Sequence, residues 1–273
     1  MKQYKTEDTL LYVNKLSVGY DGKMVLKDIS FIEHNITREG YDSTGQSIAI
    51  IGRSGRGKST LFKTLTGLLK PSSGEILITN LNTDDKSDAK QVSEGEIGFV
   101  DQKYTLFRHK TVNQICQYAL RNNKISKIEK EKLIKETLIE WELFEHINKY
   151  PNELSGGQKQ RVSIVEQIFT NKHFMILDEP TSGLDVVAIQ KVKEVFNKIL
   201  SSDEYNTIIF STHNIEFSVE MADSIYILGF PEGETVSTII KHYDLKAMGL
   251  AWSEIGPEHH QLVKEIKELL LKS

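Results

Sequence analysis

One cysteine, Cys116, stands in a chain of 273 residues. That excludes a disulfide framework within the chain and reads as a reduced, buried thiol, in keeping with a cytosolic location. Long apolar runs are also missing. The longest, at residues 48–51, 174–177 and 225–230, fall far short of the roughly 20 residues that a membrane-spanning helix needs. The opening Met1-Lys-Gln-Tyr-Lys-Thr-Glu-Asp lacks the apolar segment of a secretory signal. Nor is there a basic excess. Lys and Arg number 34 against 38 Asp and Glu, a formal charge of -4, which argues against a general nucleic-acid-binding surface. There is no internal repeat, low-complexity tract or zinc motif. What is present is an ordinary soluble composition, 39% hydrophobic and 26% charged. It suffices for one large core, or a core with a subdomain.

Short apolar runs rich in Ile and Val, at residues 11–18, 47–51, 75–79, 97–100, 174–177, 207–211 and 224–228, predict strands. Residues 48–51 and 174–177 are apolar without alternation, the pattern of central strands covered on both faces. Between them lie helical patterns. Residues 58–69 carry Leu61, Leu65, Leu68 and Leu69 at helical spacing, ended by Gly67, Pro71 and Gly74. Residues 125–147 repeat Leu133, Ile134, Leu138 and Trp141 on one face, as one or two amphipathic helices. Residues 155–169 and 186–200 predict two more helices, and residues 80–95 a surface loop or hairpin. A helical insert at about 104–155 in an α/β sheet is the simplest layout.

Gly52-Arg-Ser-Gly-Arg-Gly-Lys58-Ser59 follows a predicted strand and opens a predicted helix. Gly52, Gly55 and Gly57 let successive N–H groups turn inward, and the helix start adds partial positive charge. This is the phosphate-binding loop pattern: Lys58 reaches the outer phosphates, the Ser59 hydroxyl can ligate Mg²⁺, and Thr60 adds a hydroxyl near the inner phosphates. Asp178 ends an apolar strand, where a carboxylate can hold Mg²⁺, and Glu179 beside it is the candidate to polarise an attacking water. Ser155-Gly156-Gly157-Gln158 forms a second capped helix start able to meet an anion. Glycine there costs about 1 kcal/mol relative to alanine in a helix interior, so a use is implied.

With LSGGQ at residues 154–158, this set resembles the nucleotide-binding subunit of ATP-binding cassette (ABC) transporters, in order, over residues 11–228. The resemblance implies an α/β P-loop NTPase fold, RecA-like, with a mainly parallel sheet, an antiparallel β part on the N-terminal side and an inserted α-helical subdomain. It implies ATP and Mg²⁺ as ligands, with Gly52, Arg53, Ser54, Gly55, Arg56, Gly57, Lys58, Ser59 and Thr60 around the phosphates. Tyr20 in SVGYDGK would stack on the adenine. Gln102 in FVDQKYTLF would touch the Mg²⁺ and the attacking water, and face a membrane subunit. His213 in IIFSTHN would contact the γ-phosphate. From a second subunit, Ser155, Gly156, Gly157, Gln158 and Asp185 of the SGLD loop would complete each site in a head-to-tail homodimer or heterodimer. Residues 1–243 would be the nucleotide-binding domain and 244–273 a short helical extension packed on it. The implied partners are separate membrane permease subunits and a substrate-binding protein, not nucleic acid, with the chain at the cytoplasmic face of the inner membrane.

Three features depart from the family pattern. Arg53 and Arg56 bring two guanidiniums into the loop, either to hold phosphate or as solvated surface. Residues 32–46 read as a long polar loop, and Val165-Glu166 replaces the usual Ala-Arg. Residues 105–114, 172–180 and 243–271 are similar to an importer branch grouped with nitrate, sulfonate and taurine systems. His259-His260 has no visible partner cluster and reads as surface. A cassette of an exporter or of a lipid- or lipoprotein-extraction system would share every motif. A soluble cassette acting on DNA or ribosomes would be expected to carry coiled-coil inserts, zinc motifs or two cassettes. A P-loop kinase or GTPase would leave LSGGQ, the SGLD loop and His213 unexplained.

Overall fold

The computed structural model describes residues 4–38, 45–81, 83, 88–170 and 172–273. Two sheets carry the chain. The first is antiparallel, in the order β2-β1-β4-β5, from β1 (Tyr4–Tyr20), β2 (Lys23–Arg38), β4 (Ser73–Thr79) and β5 (Ala89–Gln91). The second has the order β10-β9-β3-β8-β7-β6, from β3 (Gln46–Ile51), β6 (Gly98–Val100), β7 (Phe174–Leu177), β8 (Thr207–Ser211), β9 (Ser224–Gly229) and β10 (Thr238–Asp244). Its pairings are parallel except at β10, which runs antiparallel to β9 on one edge. Helices follow strands: α1 (Lys58–Leu65), α2 (Val112–Ala119), α3 (Lys127–Glu140), α4 (Gly156–Phe169), α5 (Val186–Ser202), α6 (Ile215–Met221) and α7 (Pro257–Lys272).

Strand periodicity explains the two-sided burial of the large sheet. Ile48 and Ile50 of β3 point into a core shared with the antiparallel sheet and α1, where Leu61, Phe62, Leu11 and Val18 are buried. Ala49 and Ile51 point the other way, into a core with Val165, Phe196 and Phe217 of α4, α5 and α6. With both faces covered, each central strand is apolar at every position, as expected of a parallel sheet.

Several expected boundaries move. Residues 32–38 are not loop: they are the end of β2, and residues 39–44 lie outside the described residues. The polar appearance of that strand comes from a buried carboxylate. Glu33 is held by the Tyr226 hydroxyl at 2.8 Å and Lys246 at 3.6 Å. In the hairpin expected at 80–95, residues 82 and 84–87 lie outside the described residues, and β5 pairs back on β4. Helix α1 stops at Leu65, four residues early. Gly67 then adopts φ 74°, and a Cβ there would meet Glu94 N at 2.8 Å. Helix α3 stops at Glu140, where Trp141 caps it and Glu142 takes φ 54°, before a 3-10 turn at Phe144–His146. His259 is buried, not surface. Its ring bonds Leu250 O at 3.0 Å and accepts the Gly256 N–H at 3.2 Å, which pins the start of α7. Helix α7 lies beside α6 with Leu262 and Ile266 buried.

Candidate functional site

The turn between β3 and α1 opens a cleft above the carboxyl ends of the parallel strands, where open α/β sheets place their ligands. Gly57 is the N-cap of α1 at φ 87°, a conformation that side chains resist, and a Cβ there would strike Leu26 Cδ2 at 2.7 Å. Lys58 folds back over the loop: its Nζ donates to Gly52 O at 2.7 Å and stands 3.9 Å from Glu179 Oε1. Burial pushes the Lys58 ammonium below its ordinary pKa, against the pull of Glu179 and then Asp178.

The acidic side of the cleft comes from the exit of β7. Asp178 donates its backbone N–H to Val100 O at 2.9 Å. Its carboxylate takes two hydroxyl donors, Ser59 Oγ at 2.7 Å and Ser211 Oγ at 2.6 Å. Ser211 Oγ also accepts the Glu179 N–H at 2.9 Å. That hydroxyl at the end of β8 thus ties both acids to one strand. Glu179 holds φ 55°, a rarely populated conformation for a side chain of this kind. Its carboxylate meets His213 Nδ1 at 2.8 Å. The Glu179 side chain is 14% exposed and that of His213 67% exposed.

One cleft therefore gathers Gly52, Arg53, Ser54, Gly55, Gly57, Lys58, Ser59 and Thr60 with Gln102, Asp178, Glu179 and His213. Leu270 of α7 joins its wall. Tyr20, exposed at the end of β1, does not line it. The Arg56 side chain leaves the loop altogether. Its guanidinium lies 3.6 Å from the centre of the Phe230 ring and donates to Ser273 O at 3.0 Å. Arg53 reaches the same carbonyl at 3.4 Å.

Ser155, Gly157, Gln158 and Asp185 line a different groove, between α4 and α5. Ser155 caps α4 reciprocally: its Oγ accepts the Gln158 N–H at 3.3 Å, and Gln158 Oε1 accepts the Ser155 N–H at 2.9 Å. A Cβ on Gly156 or Gly157 would meet nothing within 4 Å, so this helix start is open to a visitor. Asp185 caps α5 by accepting the Ala188 N–H at 2.8 Å. Two residues of these sites were not singled out by the sequence. Ser211 carried a faint signal, a hydroxyl at a strand end two positions before His213. His146, which contacts Gln158, carried none.

The oxygen donors of the cleft, Ser59, Asp178 and the Gln102 amide, are of the hard type that suits Mg²⁺. Among the described residues no group of three or more His, Cys, Asp or Glu forms a cage for a metal ion. Mg²⁺ in triphosphate sites commonly takes one or two carboxylates and fills its shell with phosphate oxygens and water, so a single Asp fits it. Among the described residues no helix is long and apolar enough to cross a membrane.

A glycine loop between a central parallel strand and a helix, with an Asp-Glu pair at the exit of β7, one strand removed across β8, defines a P-loop nucleoside triphosphatase. Residues 42–182 match the family model described as ABC transporter. The chain belongs to the ABC transporter family and is an ATP-binding cassette ATPase. It is 37% identical over 221 residues to the arginine transport ATP-binding protein ArtM of Bacillus subtilis, covering 80% of this chain and 87% of that one. It is 35% identical over 215 residues to the sulfate/thiosulfate import ATP-binding protein CysA of Thermosynechococcus vestitus, covering 79% of this chain. The match spans only 62% of that relative's length. Among solved structures, cbiO1 of Clostridium perfringens, part of the ABC transporter complex cbiONQ, superposes with a TM-score of 0.69 at 29% identity. That match covers 90% of this chain and 92% of the other. An ATP-binding cassette solved as a dimer in a post-hydrolysis state with ADP and phosphate superposes at 0.67 with 26% identity, covering 86% and 99%.

Proposed function

We propose that this chain is the ATP-hydrolysing subunit of an importer whose channel is formed by separate membrane subunits, and that it works as a head-to-tail pair at the cytoplasmic face of the membrane. The observation that carries the reading is the separation of two anion-ready helix starts. The phosphate loop lies in the cleft with Asp178, Glu179 and His213. The capped start of α4 lines a groove of its own with Asp185. A second copy is what brings one against the other.

In that arrangement the loop N–H groups and Lys58 hold the phosphates, and Tyr20 offers its exposed ring to the adenine. Mg²⁺, held by Ser59, Asp178 and Gln102, would supply charge neutralisation of the phosphate oxygens. Glu179 takes the proton of the attacking water, and His213, bonded to that carboxylate, keeps it aimed. Ser155, Gly156, Gly157, Gln158 and Asp185 of the partner close the site. ATP thus biases a two-state pair, closed when bound and open after hydrolysis. The motion reaches the permease through Gln102 and the helices between β6 and α4. Curated relatives that import sulfate or thiosulfate and that transport arginine support import, and a substrate-binding protein would then carry the solute.

The test is sedimentation of the full chain carrying Glu179→Gln. With ATP and Mg²⁺ it should move from monomer to dimer, and Ser155→Phe should keep it monomeric. A chain that stays monomeric even with its permease present refutes the pairing.

A further inference from the structure

The amide of Gln158 is committed on both sides. Its Oε1 accepts the Ser155 N–H at 2.9 Å, and its Nε2 lies 2.8 Å from Nε2 of His146. An amide nitrogen only donates, so the imidazole nitrogen accepts, and the ring proton sits on Nδ1. That Nδ1 is buried with no hydrogen-bond partner among the described residues. Flipping the amide does not help, because it would aim NH₂ at the Ser155 N–H, donor against donor. The hydrogen bonds therefore run one way, from Ser155 through Gln158 to His146. His146 belongs to the 3-10 turn Phe144–His146, which follows α3 and stands outside the helix it touches. The turn is fixed in turn by its own bonds: the His146 N–H donates to Leu143 O at 2.9 Å, and Lys149 N–H donates to His146 O at 2.9 Å.

We propose that His146 is a positioning residue for the start of α4: as a neutral acceptor it locks the Gln158 side chain and, through it, Ser155. The proposal rests on the reading that Ser155 acts across the paired site. Three things follow for the mechanism. The geometry of the helix start depends on an acceptor supplied from outside α4. Movement of the α3 end is felt at Ser155 through one side chain. A donor at position 146 opposes the lock, whereas an acceptor of similar reach preserves it.

The experiment uses the full chain in the Glu179→Gln background. It reads ATP-dependent dimerisation by sedimentation equilibrium and ATP binding to the monomer by fluorescent-nucleotide titration. His146→Lys, a permanent donor, and His146→Leu, with no polar atom, should each weaken dimerisation roughly 10- to 100-fold. Monomer affinity for ATP should stay within about threefold, and His146→Gln, which keeps an acceptor oxygen, should dimerise within about threefold of the parent. Thermal melts accompany each variant. Parental dimerisation by His146→Lys overturns the proposal. So does a loss in His146→Gln equal to that in His146→Leu, the pattern of mere packing damage. If the lysine variant misfolds, the leucine and glutamine pair decides. Ser155→Phe separates the two levels. If it leaves dimerisation intact, the pairing itself is wrong and the proposal falls with it. If it abolishes dimerisation while His146→Lys behaves as the parent, only the role of His146 is lost.

Discussion

Replacing Glu179 by Gln separates the proposed proton abstraction from the contacts this residue makes. The glutamine keeps the side-chain length, the φ of 55° and an acceptor oxygen for His213, now 2.8 Å away. The backbone N–H still reaches Ser211 Oγ at 2.9 Å. What disappears is one negative charge and, with it, the basicity that lets this side chain take a proton from water. Loss of the charge frees Lys58, 3.9 Å away, and removes a repulsion with the incoming phosphates. ATP affinity should therefore hold or tighten. Removal of a positioned base costs about 10²- to 10⁴-fold in turnover. At about 1.36 kcal/mol per decade, the barrier rises by about 3 to 5.5 kcal/mol. Single-turnover phosphate release at saturating ATP and Mg²⁺ reads the chemical step, and equilibrium nucleotide binding reads affinity. A turnover within tenfold of the parent, with binding intact, would refute the assignment. A variant that also loses ATP would show that the acid serves the ground state instead, through Lys58.

Other consequences can be checked directly. Burial pushes the Glu166 carboxyl on α4 up to about 7 from an ordinary 4.5, with Arg121 pulling it down. The folded chain therefore holds a proton that the unfolded chain releases between those values. The contribution is greatest below pH 4.5 and is lost as pH rises through 7. Glu166→Gln should flatten that decline, seen as urea midpoints compared at pH 5 and pH 8. Phe196, Phe210 and Phe217 meet edge to face, with ring centres 5.3, 5.5 and 5.7 Å apart. Phe210→Ala should cost about 3–5 kcal/mol of unfolding free energy in denaturant titration. Burial, with Glu166 adding to it, pushes the Cys116 thiol up to about 12. A thiol reagent should label it only after denaturation.

What the sequence revealed and what it hid divide along a physical line. The cleft was legible because its chemistry needs particular residues at fixed spacing. Gly52 through Thr60, Asp178 and Glu179 could be read before any fold was known, and the structure brings all but Arg56 to one place. The central strands were legible because two-sided burial leaves an uninterrupted apolar run. Strand β2 was obscured by the buried polar residues Glu33 and Asn35, the first held by a partner far along the chain, Tyr226. The same holds for His259, whose acceptor Leu250 lies outside its own helix. The direction of the Arg56 side chain was equally invisible, because Phe230 and Ser273 reach it only through the fold. Ser211 and His146 act through contacts over separations of 33 and 12 residues, which no local pattern encodes.

The meeting of Arg56 with Phe230 has a practical side. Arg56 belongs to the phosphate loop yet rests on Phe230, and neither side chain lines the cleft. A substitution at Phe230, far from residues 52–60 in sequence, would release that guanidinium and disturb the loop without removing any group that faces a nucleotide, so lowered affinity in such a variant would report lost support of the loop rather than a lost contact.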